Sequence, residues 1–456
     1  MTFQKLHLIA AAAMLAAGAA QAAVSADEAK QLGTTLTPWG AEVAGNKDGT
    51  IPAYTGGLAK PPAGWSKDKP GVRPDPFAAD KVLFSITAKN VAEYADKLTP
   101  GYAALVKKYP TFRIDVYPTR RSNAFPKAFQ DATIKNGTRC KAVDGGLSIQ
   151  DCHGGLPFPI PKTGNEAMWN TVLRYAGHAV VMDTANWYVD GGGRATLAAR
   201  INSIQEFPNY DPHATSAESS WKVTANYTAP ARTAGEGIMV VDPMNYVADK
   251  RRAWQYIPGQ RRVKLAPDLA YDTPAPNSAG IVTMDQAPTF AGSMDRFDFK
   301  LVGKKELYIP YNTYKMGAGG DDAVCGPAKL MTANHWNPDC VRWELHRVWV
   351  VEATLKPGKR HTFSKRVYFL DEDGANATLQ DMYDAGGQIQ RVGFTLNKPM
   401  YEVPAPLADV FGTIDLISGS WLIQNWDFPG SKGIAPLDKI APNLFTPENL
   451  AGTGIR

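Results

Sequence analysis

The stretch Val341-Arg-Trp-Glu-Leu-His-Arg-Val-Trp-Val-Val-Glu-Ala-Thr-Leu355 decides the fold class of this 456-residue chain. Its odd positions are mostly large and apolar, whereas its even positions are charged or polar except at Val348 and Val350. Alternation with a period of two is typical of a β-strand with one apolar and one polar face. The stretch therefore predicts a strand whose apolar face is covered, and whose polar face leaves His346 beside Glu344 at the surface.

Other stretches with strand character extend from residue 178 to residue 396 and are separated by short turns such as Pro258-Gly259 and Asp373-Gly374. A long succession of hairpins produces a large antiparallel sheet that curls or closes. Apolar residues at helical spacing predict helices at about 88–109 and 164–176. The predicted fold class is mainly β (α+β). We expect a large curved antiparallel sheet, or incomplete β-barrel, that wraps a few helices and has extended N- and C-terminal arms.

Residues 1–22 have the pattern of a secretory signal peptide. Lys5 precedes an apolar run, and Ala20-Gln-Ala22 supplies the small residues of a cleavage site. No cysteine lies near that site, so we expect a mature protein without a lipid anchor. The remaining chain is predicted to divide into a Pro/Gly-rich extended arm, a β domain and a Pro-rich C-terminal extension, at 23–80, 81–400 and 401–456.

The composition excludes several classes of protein. With 44% apolar and 20% charged residues, the chain can bury a core and is not a disordered polypeptide. Its formal charge of +5 is spread thinly, with basic pairs such as Arg251-Arg252 rather than a basic stripe. We therefore expect no nucleic-acid partner.

The four cysteines form two local couples in the sequence. Four cysteines allow three pairings, but near neighbours close the smallest loops at the lowest entropic cost. A four-cysteine metal site would favour C-x-x-C spacing, which this chain lacks. In an oxidising compartment we expect the disulfides Cys140–Cys152 and Cys325–Cys340.

Aromatic and apolar residues on the predicted strands are the candidates for a ligand cavity. A small barrel either fills its interior with side chains or leaves room for one small ligand, and both alternatives remain open from the sequence. Arg347 would meet a polar headgroup or a structural partner. The predicted lining residues are Trp254, Tyr256, Trp343, Leu345, Arg347, Trp349 and Val351.

Two acidic clusters are interpreted as ordinary loops. Asp371-Glu-Asp-Gly-Ala-Asn376 has its glycine at the fourth position rather than the sixth, so it departs from a calcium loop and predicts a turn between strands. The second cluster is interpreted as a solvated loop and contains Asp321, Asp322, Cys325, His335 and Asp339. We therefore predict no metal site, no cofactor and no catalytic residue.

Four longer phrases carry a resemblance to a known family. They are Leu36-Thr-Pro-Trp-Gly-Ala-Glu-Val-Ala-Gly-Asn-Lys-Asp-Gly-Thr-Ile-Pro52, Pro157-Phe-Pro-Ile-Pro-Lys162 with Trp169-Asn170, Trp254-Gln-Tyr-Ile-Pro-Gly-Gln-Arg-Arg-Val263, and Asp295-Arg-Phe-Asp-Phe-Lys-Leu-Val-Gly-Lys-Lys-Glu-Leu-Tyr308. Together they resemble the uncharacterised bacterial domain family described as outer-membrane lipoprotein-sorting-protein-like, over essentially the whole mature chain.

This resemblance implies a fold similar to that of the periplasmic lipoprotein carriers. It also implies a genomic association with outer-membrane channel-like proteins and with inner-membrane exporters of the resistance-nodulation-division type. We therefore expect a non-enzymatic periplasmic protein, in solution or peripheral to the outer membrane. It would carry a hydrophobic molecule, an acyl chain or a lipoprotein-like cargo between the two membranes. Two alternatives stay open: a structural adaptor between channel and exporter, and an enzyme that acts on an apolar substrate.

Overall fold

The computed structural model describes residues 24–408 and 410–453, so the predicted signal peptide lies outside the described residues. The strands are β1 Phe84–Ile86, β2 Ile114–Val116, β3 Lys141–Val143, β4 Ser148–Gln150, β5 Ala179–Val189, β6 Ala195–Glu206, β7 Ser219–Ala229, β8 Gly237–Pro243, β9 Arg252–Ile257, β10 Arg262–Leu265, β11 Phe297–Pro310, β12 Trp343–Leu355, β13 Lys365–Asp371, β14 Ala377–Tyr383, β15 Ile389–Leu396, β16 Val410–Asp415, β17 Trp421–Trp426 and β18 Gly433–Pro436. The α-helices are α1 Ala26–Ala29, α2 Pro100–Lys108, α3 Lys127–Arg139, α4 Gly164–Val172, α5 Asp322–Cys325, α6 Pro327–Leu330 and α7 Pro447–Thr453.

One open sheet contains 16 of the strands in the described part of the chain. Its order is β1-β2-β12-β13-β14-β15-β16-β17-β5-β6-β7-β8-β9-β10, with β11 paired to β12 and β18 paired to β5 beside this path. The pairing is antiparallel apart from a parallel contact between Val116 of β2 and Trp343 of β12. Because β1 and β10 form the two ends of this path, the sheet does not close. The prediction of a mainly β fold built on a large, incompletely closed antiparallel sheet is confirmed.

Local sequence explains how the longest hairpin is joined. The Asp190 carboxylate accepts hydrogen bonds from the backbone N–H groups of Gly192, at 3.0 Å, and Arg194, at 2.9 Å. Gly193 has a φ of +89°, a left-handed conformation that glycine adopts without steric cost. The turn therefore reverses the chain between β5 and β6, which pair along almost their whole length.

Two helices begin as the sequence pattern predicts, whereas α3, the longest α-helix of the described residues, was not predicted. Thr163 and Glu166 form a capping box at the start of α4, and Thr99 caps α2 ahead of Pro100. Helix α3 has 13 residues, and its buried positions are Phe129, Thr133, Asn136 and Gly137. Only the first of these is a large apolar residue, so the buried face of α3 has no hydrophobic periodicity that sequence inspection could detect.

The residues after 400, which the sequence predicts to be a C-terminal extension, contribute strands to the large sheet. Strands β16 and β17 lie in the middle of the sheet, between β15 and β5. Residues 410–426 thus form a hairpin that joins the two halves of the sheet. Its turn spans residues 416–420 and contains the turn signal Ser418-Gly419-Ser420, in which Gly419 has a φ of +70°.

Both faces of the central strands are covered by the chain itself. On β14, the Asp381 carboxylate accepts hydrogen bonds from Thr99 and Gly101 at the start of α2. The next residue, Met382, contacts Gln286 of the segment that connects β10 to β11. Consecutive strand residues point to opposite faces, so α2 and this segment, residues 266–296, cover opposite faces. We call residues 266–296 the strap.

The polar face predicted for Val341–Leu355 is not at the surface. Glu344 is 0% exposed and His346 is 1% exposed. The surface position predicted for these two residues is wrong because the strand alternates correctly but is covered on both faces. The Tyr311 ring stacks on the His346 ring, with 3.8 Å between centroids.

The covalent cross-links agree with the sequence analysis. Cys140 is bonded to Cys152, and Cys325 is bonded to Cys340. The predicted disulfide pairing is confirmed. Within residues 24–408 and 410–453, we find no helix with the length and apolar character needed to cross a bilayer.

Candidate ligand-binding site

The strap is fixed to the sheet by buried polar contacts. The Asp285 carboxylate accepts a hydrogen bond from Arg366 Nη1 at 2.7 Å and lies 2.9 Å from His361 Nε2. His361 Nδ1 accepts from the backbone N–H of Phe363, so Nε2 carries the proton donated to Asp285. Burial by itself would raise the pKa of Asp285, but Arg366 and His361 outweigh burial and hold this pKa well below its ordinary value. This carboxylate is therefore the central anchor of the strap.

Two further arginines hold the backbone of the strap. Arg251 forms a two-pronged ion pair with Asp242, both contacts at 2.7 Å, and donates to the carbonyl of Met284. Arg391 pairs with Asp415 at 3.0 Å and donates to the carbonyl of Ile281 at 2.7 Å. The strap is thus attached through one ion pair, with Arg366 of β13, and through carbonyl hydrogen bonds from Arg251 and Arg391, in addition to its apolar packing.

An apolar pocket of about 120 Å³ lies between the strap and strands β5–β8. Trp221 and Ile238 are partly exposed at this pocket, and Trp221 Nε1 donates to Gln205 at 2.8 Å. The side chains that line the pocket are mostly aliphatic or aromatic. From the sheet they include Ile201, Trp221, Val223, Ala225, Tyr227, Ile238, Val240 and Phe411, and from the strap Ala275, Pro276, Met284, Ala287 and Pro288.

A larger and more polar cleft of about 880 Å³ lies on the opposite face of the same strands. Val240 lines the apolar pocket, whereas the next residue, Val241, lines the cleft. The walls of the cleft are residues 208–219, which lead into β7, and residues 438–445, which precede α7. The half of the sheet made by β5–β9 therefore carries an opening on each face.

The lining residues predicted from the sequence lie in several separate places. Trp254 lines the polar cleft, while Tyr256 is buried against Met239 and Leu450. Trp343 packs edge-on against Tyr102 of α2, with 5.3 Å between ring centroids. The remaining four lie elsewhere on β12: Leu345 in the main core, Val351 under α4, Trp349 beside Lys304, and Arg347 beside Glu42.

Sequence reasoning missed both the strap and the pocket beneath it. Strand alternation indicates which residues share a face, but it does not indicate which loop crosses that face. The strap is rich in proline, glycine and small residues, so it has no periodicity to detect. A buried Asp285 opposite Arg366 was likewise invisible, because 81 residues separate the two in sequence.

A second polar cluster lies inside the main core and involves His346, Glu344, Asp371, Asp373 and Arg121, which we call the buried ionic network. The acceptors Glu344 and Asp373 lie 3.2 and 3.8 Å from the two ring nitrogens of His346. Burial opposes the charge, but these carboxylates raise the pKa of His346 to about 9. Burial and the Asp373 charge raise the pKa of Asp371, whereas Arg121 lowers the pKa of Asp373 despite burial.

The buried ionic network has the spacing of a metal site, but two of its three carboxylates, Asp373 and Glu344, already have cationic partners. Ligand atoms of His346, Asp371 and Asp373 all lie within 4.8 Å of one another. Arg121, however, donates to both Asp373 oxygens, at 2.6 and 2.8 Å, and Glu344 engages the other side of the imidazole. These oxygens are thus satisfied by guanidinium and imidazole groups. We interpret the network as a structural one.

Comparison with known proteins identifies the family. The family model described as "Protein of unknown function (DUF1329)" matches residues 85–451. The chain belongs to the DUF1329 family. "Uncharacterized protein PA3922" of Pseudomonas aeruginosa is 43% identical over 463 aligned residues, which cover 99% of this chain and 98% of that protein. The family resemblance drawn from the four sequence phrases is confirmed.

Two solved structures are similar to part of this DUF1329 protein. One is a DUF1329 family protein from Desulfovibrio piger, with 12% identity and a TM-score of 0.42, covering 62% of this chain and 95% of that chain. The other is a candidate outer membrane lipoprotein-sorting protein domain from Vibrio parahaemolyticus, with 12% identity and a TM-score of 0.42, covering 63% of this chain and 95% of that chain.

Three of the four family phrases meet beside the buried ionic network. A Cβ atom on Gly40 would lie 1.7 Å from the carbonyl oxygen of Pro159, so the first phrase packs tightly on the second. Asn46 of the first phrase donates to Glu306 of the last at 3.2 Å. Arg121 donates to the carbonyls of Glu42, Val43 and Pro52. In this DUF1329 protein these phrases therefore specify how the N-terminal arm packs over the core.

Proposed function

We propose that this DUF1329 protein is a periplasmic carrier that binds an apolar, acyl-like molecule in the pocket beneath the strap and moves it between the inner and outer membranes. The observation that carries the proposal is the apolar pocket itself. Its walls are mostly aliphatic and aromatic side chains of the sheet and the strap, and two of these, Trp221 and Ile238, remain partly exposed. An exposed apolar concavity of this kind has a free-energy reason to take up an apolar guest.

The size of the pocket sets what can enter it. A volume of about 120 Å³ is similar to that of an engineered apolar cavity of about 150 Å³ that admits benzene. The end of an acyl chain would therefore fit, and the rest of the chain would lie along Trp221 and Ile238 at the mouth. Burial would contribute roughly 25 cal/mol for each Å² of apolar surface removed from water, before the entropic losses of association.

The strap supplies a route for loading and release. Its attachment through Asp285, Arg251 and Arg391 consists of polar contacts that water can replace when the strap lifts. Lifting the strap would widen the pocket along the faces of β6–β8. The carrier therefore has a closed form, described here, and an open form in which the strap is detached from part of the sheet.

The periplasmic assignment rests on sequence and covalent structure. The predicted signal peptide and the two disulfides both fit an oxidising compartment outside the cytoplasm. An outer-membrane channel-like protein and an exporter of the resistance-nodulation-division type are the proposed partners of the carrier, as the family resemblance implies. An adaptor between those two proteins is the competing function, and it needs no ligand.

The test uses N-phenyl-1-naphthylamine, an uncharged fluorescent hydrophobe, with the purified mature protein. Ala225 is 7% exposed and lines the pocket, so Ala225→Phe should fill it and weaken probe binding about tenfold. Val247→Phe adds the same bulk at a side chain that is 58% exposed and outside the pocket, and it should bind like the parent protein.

A second variant protects the test against misfolding. Ile238 is partly exposed, so Ile238→Gln should keep the fold, which circular dichroism would verify. The same variant should weaken binding of the probe. Mass spectrometry of a solvent extract of protein purified from its own periplasm should recover an apolar compound at near stoichiometric amount. A clean extract together with unchanged probe binding in both pocket variants would refute the carrier and favour the adaptor.

A further inference from the structure

The polar cleft on the opposite face of β6–β9 has the volume of a small-molecule site. Its 880 Å³ lies within the range of about 300–1,000 Å³ that such sites occupy. It shares strands with the apolar pocket but no lining residue, so it is a separate site. Its chemistry differs as well, because charged side chains form its floor.

The floor is a row of residues that pair across four neighbouring strands. Glu206 of β6 is opposite Lys222 of β7, Lys222 is opposite Val241 of β8, and Val241 is opposite Arg252 of β9. Neighbouring strands are about 4.8 Å apart, so the Lys222 and Arg252 backbones lie about 10 Å apart with an apolar side chain between them. An anion placed over Val241 would be within reach of both cations.

The two cations are engaged differently by the protein. Glu206 is 3.0 Å from the Lys222 ammonium and 3.5 Å from His178, and these two neighbours lower its pKa in spite of burial, the largest influence. Arg252 lies 3.9 Å from Asp249, at the long limit of an ion pair, and both side chains are more than half exposed. The Arg252 guanidinium can therefore turn towards a ligand at little cost.

Aromatic side chains lie next to this charged row. Trp254 follows Arg252 by two positions on the same strand, so both point to the same face of the sheet, into the cleft. The Phe445 ring lies 5.7 Å from the Lys222 ammonium, and Ile440 lines the same wall. The cleft thus offers cations beside an apolar surface. Its acids are Glu206 in the floor, Asp211 and Glu218 on the opposite wall, and Asp438 beside Lys439 on this wall.

We propose that this cleft binds an organic anion, namely a phosphate or carboxylate attached to an apolar body. The anionic group lies over Val241 between Lys222 and Arg252, where the guanidinium can donate two parallel hydrogen bonds. The apolar body lies on Trp254 and Phe445. The proposal does not depend on the carrier function, because it rests on different residues on the other face of the sheet.

The experiment measures binding of decyl phosphate and decanoate to the full mature protein by calorimetry, below their micelle concentrations. We expect binding of at least one of them. Arg252→Gln should weaken it about tenfold, because one of the two cations is removed at an exposed position that the fold does not need. Lys222→Met should weaken it similarly. Arg262→Gln is the matched control, because Arg262 is an exposed arginine on β10 outside the cleft, and it should bind like the parent protein.

Three comparisons can overturn the proposal. If decyl glucoside bound as tightly as decyl phosphate, the anionic group would contribute nothing to binding. If inorganic phosphate bound as tightly as decyl phosphate, the apolar body would contribute nothing. Unchanged binding in both Arg252→Gln and Lys222→Met would exclude the cleft. Whichever anion binds more tightly identifies the headgroup, and raised salt should weaken its binding.

Two tryptophan variants separate this site from the pocket. Trp254→Ala should weaken decyl phosphate binding and leave N-phenyl-1-naphthylamine binding unchanged. Trp221→Ala should do the opposite. Loss of decyl phosphate binding in Trp221→Ala with none in Trp254→Ala would place the ligand in the apolar pocket and refute the cleft, whatever the fate of the carrier proposal.

Discussion

The side chain of His346 is almost completely buried, and yet its surroundings favour the positively charged form of the ring. Its side chain is 1% exposed, yet the carboxylates of Glu344 and Asp373 face its two ring nitrogens, and Asp371 lies nearby. Tyr311 stacks on the ring, and Arg121 sits on the far side of Asp373. A buried charge is tolerated when it is paired in this way. Removing one partner leaves the remaining charges buried without compensation in the low dielectric of the core.

His346→Gln should therefore destabilise the protein in a pH-dependent manner. The pKa of His346 is raised from 6.5 to about 9, so its charge stabilises the fold fully below about pH 6.5, and this contribution is lost as the pH rises through about 9. The linkage corresponds to about 3 kcal/mol. Urea unfolding should show a large deficit for the variant at pH 6 that shrinks by pH 9.5.

His213→Gln provides the control for that titration. His213 is exposed, so its replacement should leave the free energy of unfolding unchanged across the same pH range. A deficit in His346→Gln that stays constant between pH 6 and pH 9.5 would contradict the argument, because it would mean that only packing, and not charge, is lost.

At the scale of the element, the strap is the segment whose attachment controls the pocket. It is a loop of 31 residues by its bounds, 266–296, and its polar anchors all lie within residues 281–285: Asp285 itself and the carbonyls of Met284 and Ile281, which Arg251 and Arg391 bind. Long loops without regular structure are usually functional or disordered. Here the polar anchors order the loop, so their strength sets how often it opens.

Asp285→Asn should loosen the strap more than the rest of the fold. Replacing the carboxylate leaves Arg366 without its anionic partner in a site where its side chain is 0% exposed. Breaking a buried pair in this way costs about 3–5 kcal/mol. Hydrogen–deuterium exchange should become at least about tenfold faster within residues 266–296, and uptake of N-phenyl-1-naphthylamine should become faster.

Asp249→Asn is the matched control for the strap. Asp249 is 53% exposed and pairs with Arg252 outside the strap, so its replacement should leave exchange in residues 266–296 unchanged. If Asp285→Asn accelerated exchange equally in β12–β15 and in the strap, the anchor would be part of the global fold and the strap would not open by itself.

At the scale of the whole molecule, the sequence predicts which segments form strands better than it predicts which segments pack against the sheet. Period-two alternation identifies strands such as Val341–Leu355, and cysteine spacing predicts both disulfides, because these signals are local. Three features depend on chain segments that are distant in sequence. They are the burial of Glu344 and His346, the packing of α3 through Phe129, and the pocket at Ala225. Alternation alone does not encode those contacts, so the candidate sites were found only from the structure.

The central hairpin of β16 and β17 shows what this layout means for stability. It forms the pairing partners of β15 on one side and β5 on the other, so it closes the gap between the two halves of the sheet. A strand that loses its neighbour exposes a row of unpaired backbone groups and, here, the apolar side chains buried on both faces. The C-terminal residues are therefore part of the cooperative core and not an appendage.

A chain that ends at Met400 should fail to fold, whereas one that ends at Leu437 should fold. The first lacks β16, β17 and β18, so β15 keeps only β14 and β5 keeps only β6 as a neighbour at the centre of the sheet. The second keeps all the strands of the described residues and loses the segment after Leu437, which includes the wall of the polar cleft at 438–445 and α7. Near-ultraviolet circular dichroism and thermal unfolding should show a cooperative transition for the longer chain alone.

The longer chain should also lose decyl phosphate binding while it keeps N-phenyl-1-naphthylamine binding. A cooperative transition in the chain that ends at Met400 would mean that the two halves of the sheet are stable separately, and the hairpin would then be a linker rather than the element that unites them.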